Sequence, residues 1–188
     1  MNKPKIHVIL GSIREGRAGE KVAAWFMEAM KNCETAELQL LDLRDFPLPM
    51  FADAVPPSQR KGPHANPDVQ KWLDKVIEAE GYIIITPEYN HGYSSVLKNA
   101  LDYGYHEWAD KPVGFVSYGG LAGGARAVEQ LRQVAGELHM LDIRDQVMIP
   151  LVWAAFDENG KLHHAESLEK TAKLVVDKVA ELATKFKK

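Results

Sequence analysis

Five residues constrain this chain more than any others: Tyr82-Ile83-Ile84-Ile85-Thr86, introduced by Gly81. A strand with one wet face alternates apolar and polar residues. A near-continuous apolar run is instead expected of a parallel strand covered on both faces. Such a strand lies centrally in a sheet and requires helices above and below it. The rest of the chain offers them in alternation. Lys5–Leu10 reads as the first strand, followed by a helix with Val22, Phe26, Ala29 and Met30 along one face. Residues 38–43 read as the second strand, and Val69, Trp72, Leu73, Val76 and Ile77 mark the next helix. After the central run come a helix through Leu97, Ala100 and Leu101, a strand at Pro112–Tyr118, and a helix with Val128, Leu131, Val134, Ala135 and Leu138. A fifth strand lies within 142–151, around 147–149, and Leu168, Ala172, Val175, Val179, Leu182 and Phe186 alternate steps of three and four in a last amphipathic helix. Five strands alternating with five helices predict an α/β chain with a three-layer, doubly wound, parallel sheet.

At 188 residues, with no repeat or boundary, residues 1–188 are expected to form a single domain. The formal net charge of −3 gives no general attraction to nucleic acid or to an anionic membrane. No apolar run is long enough to span a bilayer, and Met-Asn-Lys-Pro-Lys leads into the first strand without a secretory apolar segment. Cys33 is the only cysteine, so neither an internal disulfide nor a thiolate metal cluster is expected. Adjacent His163 and His164 are a poor metal pair, because neighbouring residues rarely converge on one ion, and no metal site is expected. These features together predict a cytoplasmic protein.

In doubly wound sheets, ligands bind beyond the carboxyl ends of the strands, where the winding direction switches. With strand order 2-1-3-4-5, strands one, three and four are neighbours at that edge, and they precede the three unusual loops of the chain. The first loop is Gly11-Ser12-Ile13-Arg14-Glu15-Gly16-Arg17. A loop of this kind feeding a helix N-terminus presents free N–H groups and the positive end of the helix dipole, and its arginines suit phosphate oxygens. It is a near miss to the nucleoside-triphosphate loop, with Arg17 in place of the lysine and Ala18 in place of the magnesium-binding hydroxyl. The dinucleotide fingerprint fails too, since Ile13 stands at its second glycine and no acidic residue clearly ends the second strand. A compact, metal-free phosphate remains. The second loop, Pro87-Glu88-Tyr89-Asn90-His91-Gly92, offers a rigid proline, an aromatic ring and amides to a flat heteroaromatic ligand. In the third, Gly119-Gly120 and Gly123-Gly124 allow close backbone approach. The long stretch from residue 44 to 67, with six prolines, is expected to be either functional, mobile or a tolerated surface excursion.

These residues resemble the NADPH-dependent FMN reductases of flavodoxin-like fold, which include soluble quinone, azo-dye and chromate reductases. The likeness is carried by residues 11–17, by Pro87-Glu88-Tyr89-Asn90 continuing to Leu97-Lys98-Asn99-Ala100-Leu101-Asp102, and by Ser117-Tyr118-Gly119-Gly120 to Gly124-Ala125-Arg126. It extends over about residues 5–150. By this resemblance Ser12, Arg14 and Arg17 would hold the FMN phosphate. Pro87, Glu88, Tyr89, Asn90, His91 and Gly92 would line the isoalloxazine, and Ser117, Tyr118, Gly119 and Gly120 would close its other side. Ser94-Ser95 stands where many members have a proline, a change expected to alter the start of the following helix more than flavin binding.

The resemblance implies an oxidoreductase that takes electrons from NADPH or NADH, stores them on FMN and passes two to a small acceptor: a quinone, free FMN, an azo dye or a metal oxyanion. It also implies a homodimer or homotetramer, with Tyr103, Tyr105 and Trp108 as candidate contact aromatics. No catalytic side chain is required, because the flavin carries the chemistry; His91 and Glu88 read as polar contacts. Two alternatives stay open at this stage: a flavodoxin-type electron carrier, and a non-catalytic flavin-binding sensor or scaffold.

Overall fold

The computed structural model describes residues 2–187. Five parallel strands, β1 (Lys5–Leu10), β2 (Glu37–Asp42), β3 (Gly81–Pro87), β4 (Pro112–Tyr118) and β5 (Leu141–Ile149), form one sheet in the order β2-β1-β3-β4-β5. Five α-helices connect and cover it: α1 (Gly19–Ala29), α2 (Pro67–Glu78), α3 (Ser95–Asp102), α4 (Ala125–Glu137) and α5 (Ala165–Lys185). The expected flavodoxin-like topology is therefore the observed one. β3 is buried at every position, as its unbroken apolar run requires.

The alternation of side chains along the strands divides the core between two faces. Ile6, Val8 and Leu10 of β1 pack with Val22 and Phe26 of α1 and Val175, Val176 and Val179 of α5. Ile9 faces the other way, into a cluster with Trp72, Tyr82, Tyr103, Trp108 and Phe115. Each fully buried branched or aromatic side chain contributes about 1.5–3 kcal/mol, provided its polar atoms are satisfied. They are satisfied here: the Trp72 indole donates to the Ala100 carbonyl at 2.8 Å, that of Trp108 to Leu101 at 3.1 Å, and the Tyr82 hydroxyl to Val76 at 2.6 Å.

This packing corrects one expectation. Trp108 and Tyr103 are core residues, buried and hydrogen-bonded within the chain, so neither offers a surface for contact with another subunit. Tyr105 alone of the three is partly exposed. The stretch from 44 to 67 is a strap bound to α3 rather than a loose excursion. Asn99 accepts from the Phe51 amide at 2.8 Å and donates to the Pro49 carbonyl at 2.7 Å, while the Tyr103 hydroxyl reaches the same carbonyl at 3.0 Å. Arg60 pairs with Glu107 and donates to the Tyr103 carbonyl. Ser94 is the N-cap of α3, accepting from the Leu97 amide while its hydroxyl donates to the Gly11 carbonyl. The serine that replaces the proline thus joins the helix start to the first loop.

Candidate functional site

Three loops meet at the carboxyl edge of β1, β3 and β4. In the first, Ser12 is buried; its hydroxyl hydrogen-bonds the Tyr89 hydroxyl at 2.9 Å and accepts from the Arg14 amide at 3.3 Å. That bond crosses from the first loop to the second. The Arg14 guanidinium lies 5.8 Å from the centre of the Tyr89 ring. In the second loop, Asn90 and His91 both adopt positive φ (51° and 69°), and Tyr89 and Gly92 exchange backbone hydrogen bonds. This is a two-residue hairpin whose sense matches a type I′ turn. Its tip is anchored by the Gln130 amide, which donates to the His91 carbonyl at 2.9 Å. The Glu88 carboxylate accepts from the Arg126 amide at 3.2 Å and from its Nε at 2.6 Å, so it caps the start of α4. Glu88 therefore ties the second loop to the third.

Arg17 occupies an unexpected position. It is 4% exposed, and its guanidinium forks onto both oxygens of Asp42, with Nη1 to Oδ1 at 2.9 Å. It also donates to the Ser12 carbonyl and, through Nε, to Glu20 at 3.3 Å. Burial pushes the Asp42 carboxyl up, but the Arg17 guanidinium and the Arg44 amide outweigh that and hold it below its ordinary value. Arg44 braces the loop from outside, donating to the carbonyls of Ile13 and Arg14 and pairing with Glu20 at 2.5 Å. Asp42 is the last residue of β2, an acidic strand end that a boundary placed one residue late, at 43, concealed. It occupies the position from which dinucleotide folds hold a ribose hydroxyl, and here Arg17 takes it.

Between these loops lies a cleft of about 410 Å³, within the range of small-molecule sites. Of the residues proposed from the sequence, Arg14, Arg17, Pro87, Glu88, Tyr89, Tyr118, Gly119 and Gly120 line it. Gly16, Ala18, Lys21, Val152, Trp153 and Phe156 complete the wall. The Tyr118 hydroxyl is buried there without a partner at hydrogen-bonding geometry. Burial raises its pKa, and the nearby Tyr89 hydroxyl raises it further, so it stays protonated and able to donate. Ala18 is the N-cap of α1 and supplies no side-chain cap. The amides of Ile13, Glu15, Gly16, Asn90, His91 and Gly120 have no protein acceptor among the described residues. A larger hollow, about 800 Å³, opens at the opposite end of the sheet. Lysines of its wall are already engaged, Lys5 with Glu78 and Lys187 with Glu80, and no glycine loop reaches it. Of the unpaired loop amides, those of Gly16 and Gly120 belong to residues that line the smaller cleft, beside the Tyr118 hydroxyl.

The sequence profile of the NADPH-dependent FMN reductases matches residues 4–154. The chain belongs to this family. It is an FMN-dependent NAD(P)H oxidoreductase. An NAD(P)H-dependent FMN reductase of Schizosaccharomyces pombe is 42% identical over 137 residues, 73% of this chain and 68% of that protein. A probable NADPH:quinone oxidoreductase of Oryza sativa is 35% identical over 116 residues, 58% of this chain and 59% of its own. Among solved structures, a flavoenzyme NAD(P)H:(acceptor) oxidoreductase from Paracoccus denitrificans superposes with a TM-score of 0.75 at 22% identity, covering 97% of this chain and 98% of that one. That last likeness establishes the fold.

The cleft fits the family's cofactor. An orphaned hydroxyl, an uncapped helix start and free loop amides are the donors that a phosphate and a ring rich in carbonyl and nitrogen acceptors would satisfy. Of the residues expected at the site, Ser12, Asn90, His91, Gly92 and Ser117 lie off the cleft wall. Ser12 acts through Tyr89. Ser117 is fully buried, its hydroxyl donating to the Gly123 carbonyl at 2.8 Å, which holds the third loop in place. Trp153 and Phe156 follow β5 at the same carboxyl edge. The edge rule could have found them, had it been applied to the fifth strand as well.

Proposed function

We propose that this chain, as a single FMN-binding domain, passes two electrons from NAD(P)H to quinones or similar flat electrophiles. The observation that carries the reading is that the three loops meet at one cleft walled by Arg14, Lys21, the buried Tyr118 hydroxyl and the loop glycines Gly16, Gly119 and Gly120. Arg14 and the amides of the first loop would bind the phosphate. Pro87, Glu88, Tyr89 and Gly119-Gly120 would flank the ring, with the Gly120 amide as a donor to it, while Asn90, His91 and Gly92 hold the shape of the second loop. Bound FMN would supply the redox chemistry, taking electrons from the nicotinamide and giving them to the acceptor that replaces it. Glu88, held by Arg126, keeps the second and third loops in register and is engaged too fully to serve as a base. Trp153, 72% exposed at the mouth, offers an aromatic face to a flat acceptor. The related plant quinone oxidoreductase supports the choice of acceptor. We place the protein in the cytoplasm, on its single cysteine, and as a homodimer or homotetramer, on the exposed apolar side chains Met50, Val55 and Leu121.

The test begins with a visible spectrum after adding FMN, followed by NADPH and NADH oxidation with a simple quinone. A yellow protein that turns over supports the proposal, and a protein that binds no flavin sinks it. Bound flavin reduced only by an electron-transfer partner would make the chain a carrier. Arg14→Ala is expected to weaken FMN binding by about 1.5–3 kcal/mol, the value of a charge-assisted contact. Fluorescence titration measures it directly, and unchanged affinity would remove Arg14 from the site.

A further inference from the structure

Three cationic side chains of the first loop and its helix line the cleft, and they are engaged very differently. Arg17 has its guanidinium committed to Asp42, Glu20 and the Ser12 carbonyl. Arg14 touches only the Tyr89 ring. Lys21 has no carboxylate partner among the described residues, although it sits in the first turn of α1. A cation there opposes the positive end of the helix dipole, and the carboxylates nearby do not relieve it. Glu20 is held by Arg17 and Arg44, Glu88 by Arg126, and Glu15 does not line the cleft. Beside the same turn lies the hydroxyl of Tyr118, a residue only 4% exposed; it has the Ser12 hydroxyl near it but no partner at full hydrogen-bonding geometry. A Cβ on Gly19, the first residue of α1, would come within 2.5 Å of it. The corner thus holds two exposed cations without a carboxylate partner among the described residues, beside one buried hydroxyl.

A phosphomonoester carries between one and two negative charges near neutrality, which two free cations balance. We propose that Lys21, together with Arg14, meets the phosphate of the bound flavin, and that Arg17 is a strut which fixes the first loop to the end of β2. This assignment rests on the reading of the cleft as the FMN site.

Flavin-free protein titrated with FMN and with riboflavin, which lacks the phosphate, separates the roles. Lys21→Gln is expected to raise the dissociation constant for FMN about tenfold and leave that for riboflavin unchanged. An unchanged ratio of the two affinities would overturn the assignment of Lys21. Asp42→Asn is expected to lower the melting temperature of the flavin-free protein by about 5–10 °C, because it removes the charge and one acceptor of the fork that holds a buried guanidinium. An unchanged melting temperature would overturn the strut. Wild-type protein that binds FMN no tighter than riboflavin is a different result, and would overturn the phosphate site itself.

Discussion

Gly124→Ala is expected to destabilise the protein by about 3 kcal/mol or more, and to lower flavin affinity as the third loop shifts. Two independent costs combine at this position. Gly124 has φ of +86°, where an L side chain meets the following carbonyl at a cost of roughly 1–2 kcal/mol. A Cβ there would also lie 2.7 Å from the Ser117 Cβ and 2.9 Å from the Tyr118 amide nitrogen. The second contact is backbone of the strand that carries Tyr118 into the cleft, so relief requires β4 or the start of α4 to move. Overpacking of this kind typically costs about 1–3 kcal/mol. For a chain of 188 residues, 3 kcal/mol corresponds to a fall in melting temperature of about 6–12 °C. Gly160→Ala is the control, since its φ of +76° carries the strain while nothing lies within 4 Å of the added atom. Equal losses for the two variants would show that only backbone strain matters and that the third loop is not packed as described.

The glycines of that loop show how much of this molecule could be read from its residues. Apolar periodicity located all the strands and helices and their order, because burial on one face or two leaves a direct imprint on side-chain type. Loop chemistry located the cleft, because free amides and glycines are local properties. Long-range pairing was not legible. Arg17 reads as a phosphate ligand in its own loop. Its engagement depends on Asp42, 25 positions on, brought beside it by the parallel pairing of β1 with β2. Trp108 and Tyr103 likewise stand, by the family resemblance, as candidates for a subunit contact. Tyr103 is buried under the proline-rich strap, which returns across α3 by a path no periodic pattern in 44–67 announces, and Trp108 is buried against Tyr82 and Trp72. Trp153 stands in a three-residue 3₁₀ turn, too short to leave a pattern.

Acidification from pH 6.5 to pH 4 is expected to remove about 3 kcal/mol of stability through one residue, His7. It lies in the middle of β1, fully buried, paired in register with Gln39 and Tyr82, and neither ring nitrogen has a partner at hydrogen-bonding geometry. Burial holds its pKa down at about 4; Glu78 and the Lys75 backbone oppose the shift, whereas the charges of Lys75 and Lys5 add to it. In the unfolded chain the imidazole takes a proton near pH 6.5. Between pH 6.5 and 4 the unfolded state therefore binds more protons than the folded one, and stability falls as pH falls. The loss is complete just below pH 4 and then levels off. Glu78 is held down to about 2, chiefly by hydrogen bonds from Lys5 and Lys75. Its effect has the same sign but belongs to lower pH, below its ordinary value of 4.5, so the two windows separate. Denaturant unfolding of wild type and His7→Leu at intervals from pH 7.5 to 4 would read the difference. The variant puts an apolar side chain on the same buried face of β1 as Ile9 and lacks the titration, so its stability should stay nearly level over this range while wild type declines. Parallel declines in the two proteins would place the acid sensitivity elsewhere. His7 is remote from the carboxyl edge, so the decline should appear equally in flavin-free protein, which distinguishes loss of the fold from loss of the cofactor.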